Sequence, residues 1–208
     1  MTQASPCPKP SAKREVILDA ARVVFLEVGY AAASMDSVAA RAGVSKATSY
    51  AHFSSKDQLF AAMIRRRCDR NSTFAPVDPA LDARATLSVV GQRVLDLLLL
   101  PDTLAMFRVV VAESARQPDL AQAFYASGPG AGRAEIAQVI ADLTARGAIR
   151  ADDPARLADL FIGMLRTDLF MRTLLGLAQP TEAERAEAVA AAVDTLLAAC
   201  GVPNAATP

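Results

Sequence analysis

The chain has no tryptophan, one histidine and three cysteines in 208 residues, and only 5% of it is aromatic. A lone imidazole and three scattered thiols, Cys7, Cys68 and Cys200, offer no ligand set at metal-binding spacing. No metal and no cofactor is therefore expected. The odd cysteine count argues against a disulfide framework, and Cys68 and Cys200 read as small packing residues. No nucleophile–base arrangement is legible, which weighs against an enzyme. No apolar run of about 18 residues is free of charge, so no membrane span is expected. Runs of β-branched residues are short, while alanine and leucine dominate, and the expected fold class is all-α. The N-terminus, MTQASPCPKPSAK, lacks an apolar signal core, which implies a cytoplasmic protein. Pro6, Pro8 and Pro10 make residues 1–10 a flexible arm.

Charge is balanced over the whole chain but not along it. Residues 1–72 hold 11 Lys plus Arg against 6 Asp plus Glu, a net of +5. Residues 73–208 hold 11 against 16, a net of −5. A basic front and an acidic rear suit a protein that sets one end on phosphate and keeps the other off it.

The richest segment is Ser34 to Ile64. Ser34 can N-cap a helix that carries Met35, Val38, Ala39 and Ala42 on one stripe. Gly43 supplies a left-handed stop, Val44 plugs the turn and Ser45 caps the next helix. That order is a helix-turn-helix, whose second helix is shaped to enter a DNA major groove. On that helix Val44, Ala47, Ala51 and Phe53 can face inward. Ser45, Lys46, Thr48, Ser49, Tyr50 and His52 then form an outward face of short polar groups, one cation and two rings. Such groups approach base edges and phosphates closely.

Before this segment, Val16, Ile17, Ala20, Ala21, Val24, Phe25 and Val28 form the stripe of a helix over 11–28 that Gly29 ends. After it, a further helix starts at Ser54 or Ser55 and turns Leu59, Phe60, Met63 and Ile64 inward. Lys56 sits in its first turn, where a bound phosphate would offset an unfavourable helix dipole. Arg65, Arg66, Arg67 and Arg70 follow as solvated charge at its far end. The helix-turn-helix domain is set at 11–55, the linking helix at 56–73 and a helical rear domain at 74–208. The Pro-rich stretch 74–82 is the boundary.

GVSKATSYAHFSSKDQLF, with the long amphipathic helix before it, resembles the DNA-binding domain of TetR/AcrR-type transcriptional regulators. The family pattern Gly-Val-Ser-x-x-x-x-Tyr-x-x-Phe-x-x-Lys-x-x-Leu is met by Gly43, Val44, Ser45, Tyr50, Phe53, Lys56 and Leu59. Two positions depart from it: Ala47 stands where family members usually carry Gly, and Ser49 where they carry an apolar residue. The resemblance covers about the first third of the chain. It implies that Ser34, Ser45, Lys46, Ala47, Thr48, Tyr50, His52 and Lys56 meet double-stranded DNA, with Lys56 near the backbone. It also implies a rear domain that binds a small molecule and dimerises, and repression as the default sign of control. A two-fold homodimer would require a palindromic operator.

Five rear helices are expected, over about 82–100, 102–115, 119–146 with a break, 154–176 and 181–200. The segment GPGAG, 128–132, lacks the strand and the Gly-Lys-Ser/Thr ending of a phosphate loop and reads as a break between helices. Residues 157–175 are apolar in nearly every direction, which demands cover on all sides. Ala183, Ala186, Val189, Ala190, Val193, Leu196 and Leu197 form a small-residue stripe on the last helix. Leu169, Phe170, Ala186, Val189, Ala190, Val193 and Leu197 are therefore assigned to a dimer interface built as a four-helix bundle. The ligand pocket is assigned to Met106, Phe107, Val110, Phe124, Tyr125, Phe161, Met164, Leu165 and Asp168, with Leu99 and Val111 as further candidates. Arg108, Arg166 and Asp168 are charges inside apolar runs, and one facing the cavity would select a polar or anionic group. Asp168 and Arg172 can instead pair across one helical turn.

The resulting function is a sequence-specific DNA-binding regulator that a small, largely apolar ligand releases from its operator. Two alternatives stay open: a DNA binder with a filled rear core and no ligand, and a helical scaffold that does not bind DNA.

Overall fold

The computed structural model describes residues 12–70 and 75–200. The N-terminal arm with Cys7, and the end of the linking segment, lie outside the described residues. Among the described residues there are eleven helices and no strand, and no helix is long and apolar enough to cross a membrane.

Four helices make the front unit: α1 (Ala12–Ala32), α2 (Met35–Ala42), α3 (Lys46–His52) and α4 (Lys56–Arg70). Gly29, at φ 76° and ψ 167°, interrupts the regular geometry of α1. The regular helix thus stops where the glycine predicts, and a last irregular turn carries Tyr30 inward. Ile17, Leu18, Ala21 and Phe25 of α1 close over Val38, Phe53, Leu59 and Phe60. This core also takes Met106, Val110 and Leu120 from the next helices along the chain. Front and rear are therefore packed together, not merely tethered.

The rear comprises α5 (Ala83–Leu99), α6 (Pro101–Glu113), α7 (Pro118–Ser127), α8 (Pro129–Ala145), α9 (Pro154–Leu165), α10 (Asp168–Leu174) and α11 (Glu182–Cys200). Four of these begin with proline or have it in the first turn, where the missing N–H costs nothing. The break in GPGAG is confined to Gly128, and α8 starts at Pro129. The expected single helix over 154–176 is two, because Arg166 and Thr167 leave helical geometry between α9 and α10. That break turns the chain, so that Leu169 and Phe170 are folded back into its own core while Leu160 and Met171 stay half exposed.

The dimer assignment changes accordingly. Leu169, Phe170, Val189 and Val193 are buried within their own chain, in a core with Leu87, Leu95, Ile140 and Phe161. The reason is phase. On α11 the buried line runs Val189, Ala192, Val193, Leu196, Cys200, while Ala183, Ala186 and Ala190 remain exposed and Leu197 half-buried.

Candidate nucleic-acid interface and ligand cavity

The α2–turn–α3 unit is fixed at each joint. The Ser37 amide donates to Ser34 Oγ at 3.0 Å and the Ser34 amide donates back to Ser37 Oγ at 3.0 Å, a reciprocal cap. Gly43 adopts φ 64°, a left-handed conformation that closes α2. Ser45 Oγ accepts from the Thr48 amide at 3.1 Å and starts α3.

The phase of α3 differs from the expected one. Phe53 is buried, and the residue one turn before it on the same face is Ser49, which is fully buried. Ala47 and Ala51 lie roughly opposite and are exposed. The outward face is thus Ser45, Lys46, Ala47, Tyr50 and Ala51, with Thr48 and His52 half-buried beside it. Ser49 Oγ has no hydrogen-bond partner. Position 49 is a core position filled by a hydroxyl, which explains why relatives of this pattern prefer an apolar residue there.

Lys46 Nζ pairs with Asp36 Oδ2 at 2.8 Å on the open surface, and the hydrogen bond and charge of Asp36 raise its pKa. Lys56, expected on the DNA backbone, is turned inward instead. Its ammonium donates to the carbonyls of Tyr30 at 2.8 Å and Ala33 at 3.1 Å, and lies 4.2 Å from the centre of the Tyr30 ring. The free carbonyls at the end of α1 attract this cation more directly than a groove phosphate could. Tyr30 stacks on Phe25, meets Phe60 edge-on and donates to the Asp57 carboxylate. Burial, then the hydrogen bond to Asp57, pushes its phenol above the ordinary value.

Between the front unit and the rear lies a cavity of about 390 Å³. Met63 and Ile64 of α4, Met106 and Phe107 of α6, Phe124 of α7 and Ile136 of α8 give it apolar walls. At one part of its wall Asp102, in the first turn of α6, accepts from Arg22 Nε of α1 at 2.5 Å and from Arg67 of α4 at 2.6 Å. Burial alone would raise the Asp102 carboxyl. The hydrogen bonds from Arg67 and Arg22, and their charges, outweigh it and hold the pKa below the usual carboxylate range. Arg66 is likewise paired, with Glu15 at 3.0 Å and Asp19 at 2.7 Å. Arg22 and Arg67 thus tie the front unit to the rear, and Arg66 ties α4 to α1, so Arg66 and Arg67 are not the solvated charge expected. Burial pushes the Cys68 and Cys200 thiols up, as suits packing residues.

Of the residues assigned to the pocket, Met106, Phe107 and Phe124 line it. Val110 packs in the front core. Phe161 and Leu165 are fully buried in the rear core, and Met164 and Leu99 pack with them. Tyr125 and Val111 are each 59% exposed. Asp168 points to solvent and pairs with Arg172 at 2.7 Å. The end of α9 faces the cavity through Ile162 and Arg166, each one residue along from Phe161 and Leu165, which point about 100° away into the fully covered core.

Comparison with known proteins agrees with this geometry. Residues 17–63 match bacterial regulatory proteins of the tetR family, and residues 85–202 match the C-terminal domain of AefR-like transcriptional repressors. The chain belongs to the TetR family of transcriptional regulators. It is a DNA-binding regulator, and its all-α fold, a helix-turn-helix unit followed by a helical rear, is that of the family. Its fold matches the flavonoid-responsive regulator FrrA, 35% identical, with a TM-score of 0.76 over 94% of this chain and all of that one. It also matches a TetR family regulator from Pseudomonas syringae pv. tomato, 28% identical, with a TM-score of 0.66 over 90% of this chain and 96% of that one. The HTH-type transcriptional activator FasR of Mycolicibacterium smegmatis is 51% identical over 57 residues. That match spans 27% of this chain and 26% of that relative.

In this TetR-family chain, three site residues escaped the reading of the sequence. Asp102 and Arg22 are 80 positions apart, and no local pattern joins them. Tyr30 follows a glycine at a helix end, where a buried aromatic could have been suspected as the plug of that turn.

Proposed function

We propose that this regulator binds a palindromic operator as a homodimer and leaves it when a small, largely apolar molecule fills the cavity. The observation that carries this is the position of the cavity. It touches α1 and α4 of the reading unit and α5 to α10 of the rear at once. A molecule that alters the spacing of those helices alters the pose of α3, because α4 follows α3 directly. Preference of the ligand for the mismatched pose then draws the population off DNA. A relative described as flavonoid-responsive supports ligand control, though for that protein only.

The DNA contacts in this reading are Ser34, Ser45, Lys46, Ala47, Thr48, Tyr50 and His52. Lys56 acts behind them, tying α4 to the end of α1. The dimer face is the exposed small-residue side of α11, Ala183, Ala186 and Ala190, with Leu160 and Gly163 of α9, which are also exposed. Small residues allow helices to approach closely, and exposed apolar area of this kind marks an interface. Repression is the sign we assign. The match to AefR-like repressors spans most of the rear, whereas the match to an activator is confined to 57 residues.

Selection of bound sequences from random duplex DNA tests the reading. A palindrome with two half-sites supports the dimeric regulator. Recovery of no motif by folded protein overturns it in favour of a helical scaffold.

A further inference from the structure

The cavity carries a recognition element that determines the class of ligand. Three charges interrupt the apolar runs of the rear helices, and they have different fates. Arg108 donates to the carbonyls of Leu174 and Thr173 and so closes the end of α10. Asp168 is exposed and paired with Arg172. Arg166 lines the cavity.

Arg166 sits at the break between α9 and α10, where its backbone amide ends α9 on the carbonyls of Ile162 and Gly163. Its guanidinium carbon lies 4.9 Å from the centre of the Phe170 ring and 5.4 Å from that of Phe107. Phe107 in turn meets Phe124 and Phe170 edge-on, with ring centres 6.1 Å apart in both cases. The result is a wall of three rings with a cation held against two of them. Ring faces orient a guanidinium without using its N–H donors. Among the described residues Arg166 has no carboxylate partner, whereas Arg22 and Arg67 share Asp102, and Arg66 is held by Glu15 and Asp19. The lining as a whole carries four arginines against two aspartates, a net of +2.

We infer that the ligand is an aromatic molecule bearing an anionic group, a carboxylate, sulfonate or phenolate, with its ring against Phe107, Phe124 and Phe170 and its anion on Arg166. This rests on the proposed ligand control and adds the charge and its partner. An uncharged ligand would leave five N–H donors of Arg166 to water alone at the cavity wall. An anion takes them in a charge-assisted, geometrically matched pair.

The test is a pair of dyes with the same ring framework. One is 8-anilinonaphthalene-1-sulfonate, an aromatic anion, and the other is N-phenyl-1-naphthylamine, its uncharged counterpart. Both are titrated by fluorescence into the full-length protein and into Arg166→Gln, Arg166→Lys and Ile162→Trp. Ile162→Trp projects a much larger side chain into the cavity and should abolish the binding of both. Arg166→Gln should weaken the sulfonate about tenfold or more and change the neutral dye less than about twofold. Arg166→Lys, which keeps the charge but loses the planar fork, should fall between wild type and Arg166→Gln, and neutral-dye binding kept by Arg166→Gln shows that its loss of sulfonate affinity is not loss of fold. If Ile162→Trp abolishes both dyes but Arg166→Gln spares the sulfonate or weakens both equally, the anion assignment fails and the cavity stands. If neither dye binds the wild-type protein, or Ile162→Trp leaves both unchanged, the ligand reading itself fails.

Discussion

Arg67 of α4 and Asp102 of α6 are hydrogen-bonded at 2.6 Å, and Arg22 of α1 shares the same carboxylate oxygen. One side chain of the rear thus holds the first and the last helix of the reading unit. The site lies on the wall of the cavity, so under the proposed function a bound ligand would meet this tie. A charge pair at a distance short enough for hydrogen bonding transmits displacement better than apolar contact, because its energy depends on direction as well as on distance.

Asp102→Asn should lower stability by about 2 kcal/mol at pH 7, since it removes the anion that the guanidinium groups of Arg22 and Arg67 share. Urea unfolding measures this. The folded-state pKa of Asp102 is depressed, so its contribution is complete above the unfolded carboxylate value near pH 4 and is lost as pH falls through the folded value. The difference between wild type and Asp102→Asn should therefore shrink in that acid range. Equal stability at pH 7 would show that the tie contributes nothing.

Ser49→Ala should stabilise the protein by about 1 kcal/mol, because it removes a buried hydroxyl that has no partner. Thermal and urea unfolding report it. A destabilised Ser49→Ala would mean that a water or another group satisfies this oxygen in solution.

Lys46 and Lys56 should separate in DNA binding. Lys46→Ala removes an exposed cation beside the reading face, and the slope of log affinity against log salt should fall by about one. Lys56→Met should leave that slope unchanged and instead cost about 1–2 kcal/mol of stability, through the lost bonds to Tyr30 and Ala33. A reduced slope for Lys56→Met would return this residue to the DNA contacts.

Ala190→Asp places a charge on the exposed face of α11 without touching the buried line of that helix. Sedimentation should show monomers where the wild-type chain sediments as a dimer, with helical content unchanged. An Ala190→Asp dimer as tight as wild type would move the interface elsewhere.

Much of this was legible along the chain. The caps at Ser34 and Ser45 and the left-handed Gly43 are local devices, set by residues three or four positions apart, and the structure places them as read. So are the helix starts expected near 102, 119 and 154, which fall at Pro101, Pro118 and Pro154. The phase of α3 differs from the expected one because alanine is compatible with either face. Phe53 decided it, and the seven-residue helix left no other large apolar residue to confirm the choice. Lys56 differs for a related reason: a phosphate at its helix N-terminus is a local attraction, but its nearest acceptors lie at the end of α1, more than 20 positions away.

By itself the sequence determined the class of the protein, most of its helices and the order of its reading unit, because caps, turns and amphipathic stripes act over one or two helical turns. The tertiary structure alone decided which apolar residues face a cavity and which fill a core, since every face of 157–175 is apolar and only the break at Arg166–Thr167 sorts them. It also decided the partners of the arginines. A guanidinium on a long, flexible stem reaches whichever carboxylate packing brings near, and Asp102 is brought to Arg22 and Arg67 by three helices that meet only in the folded chain.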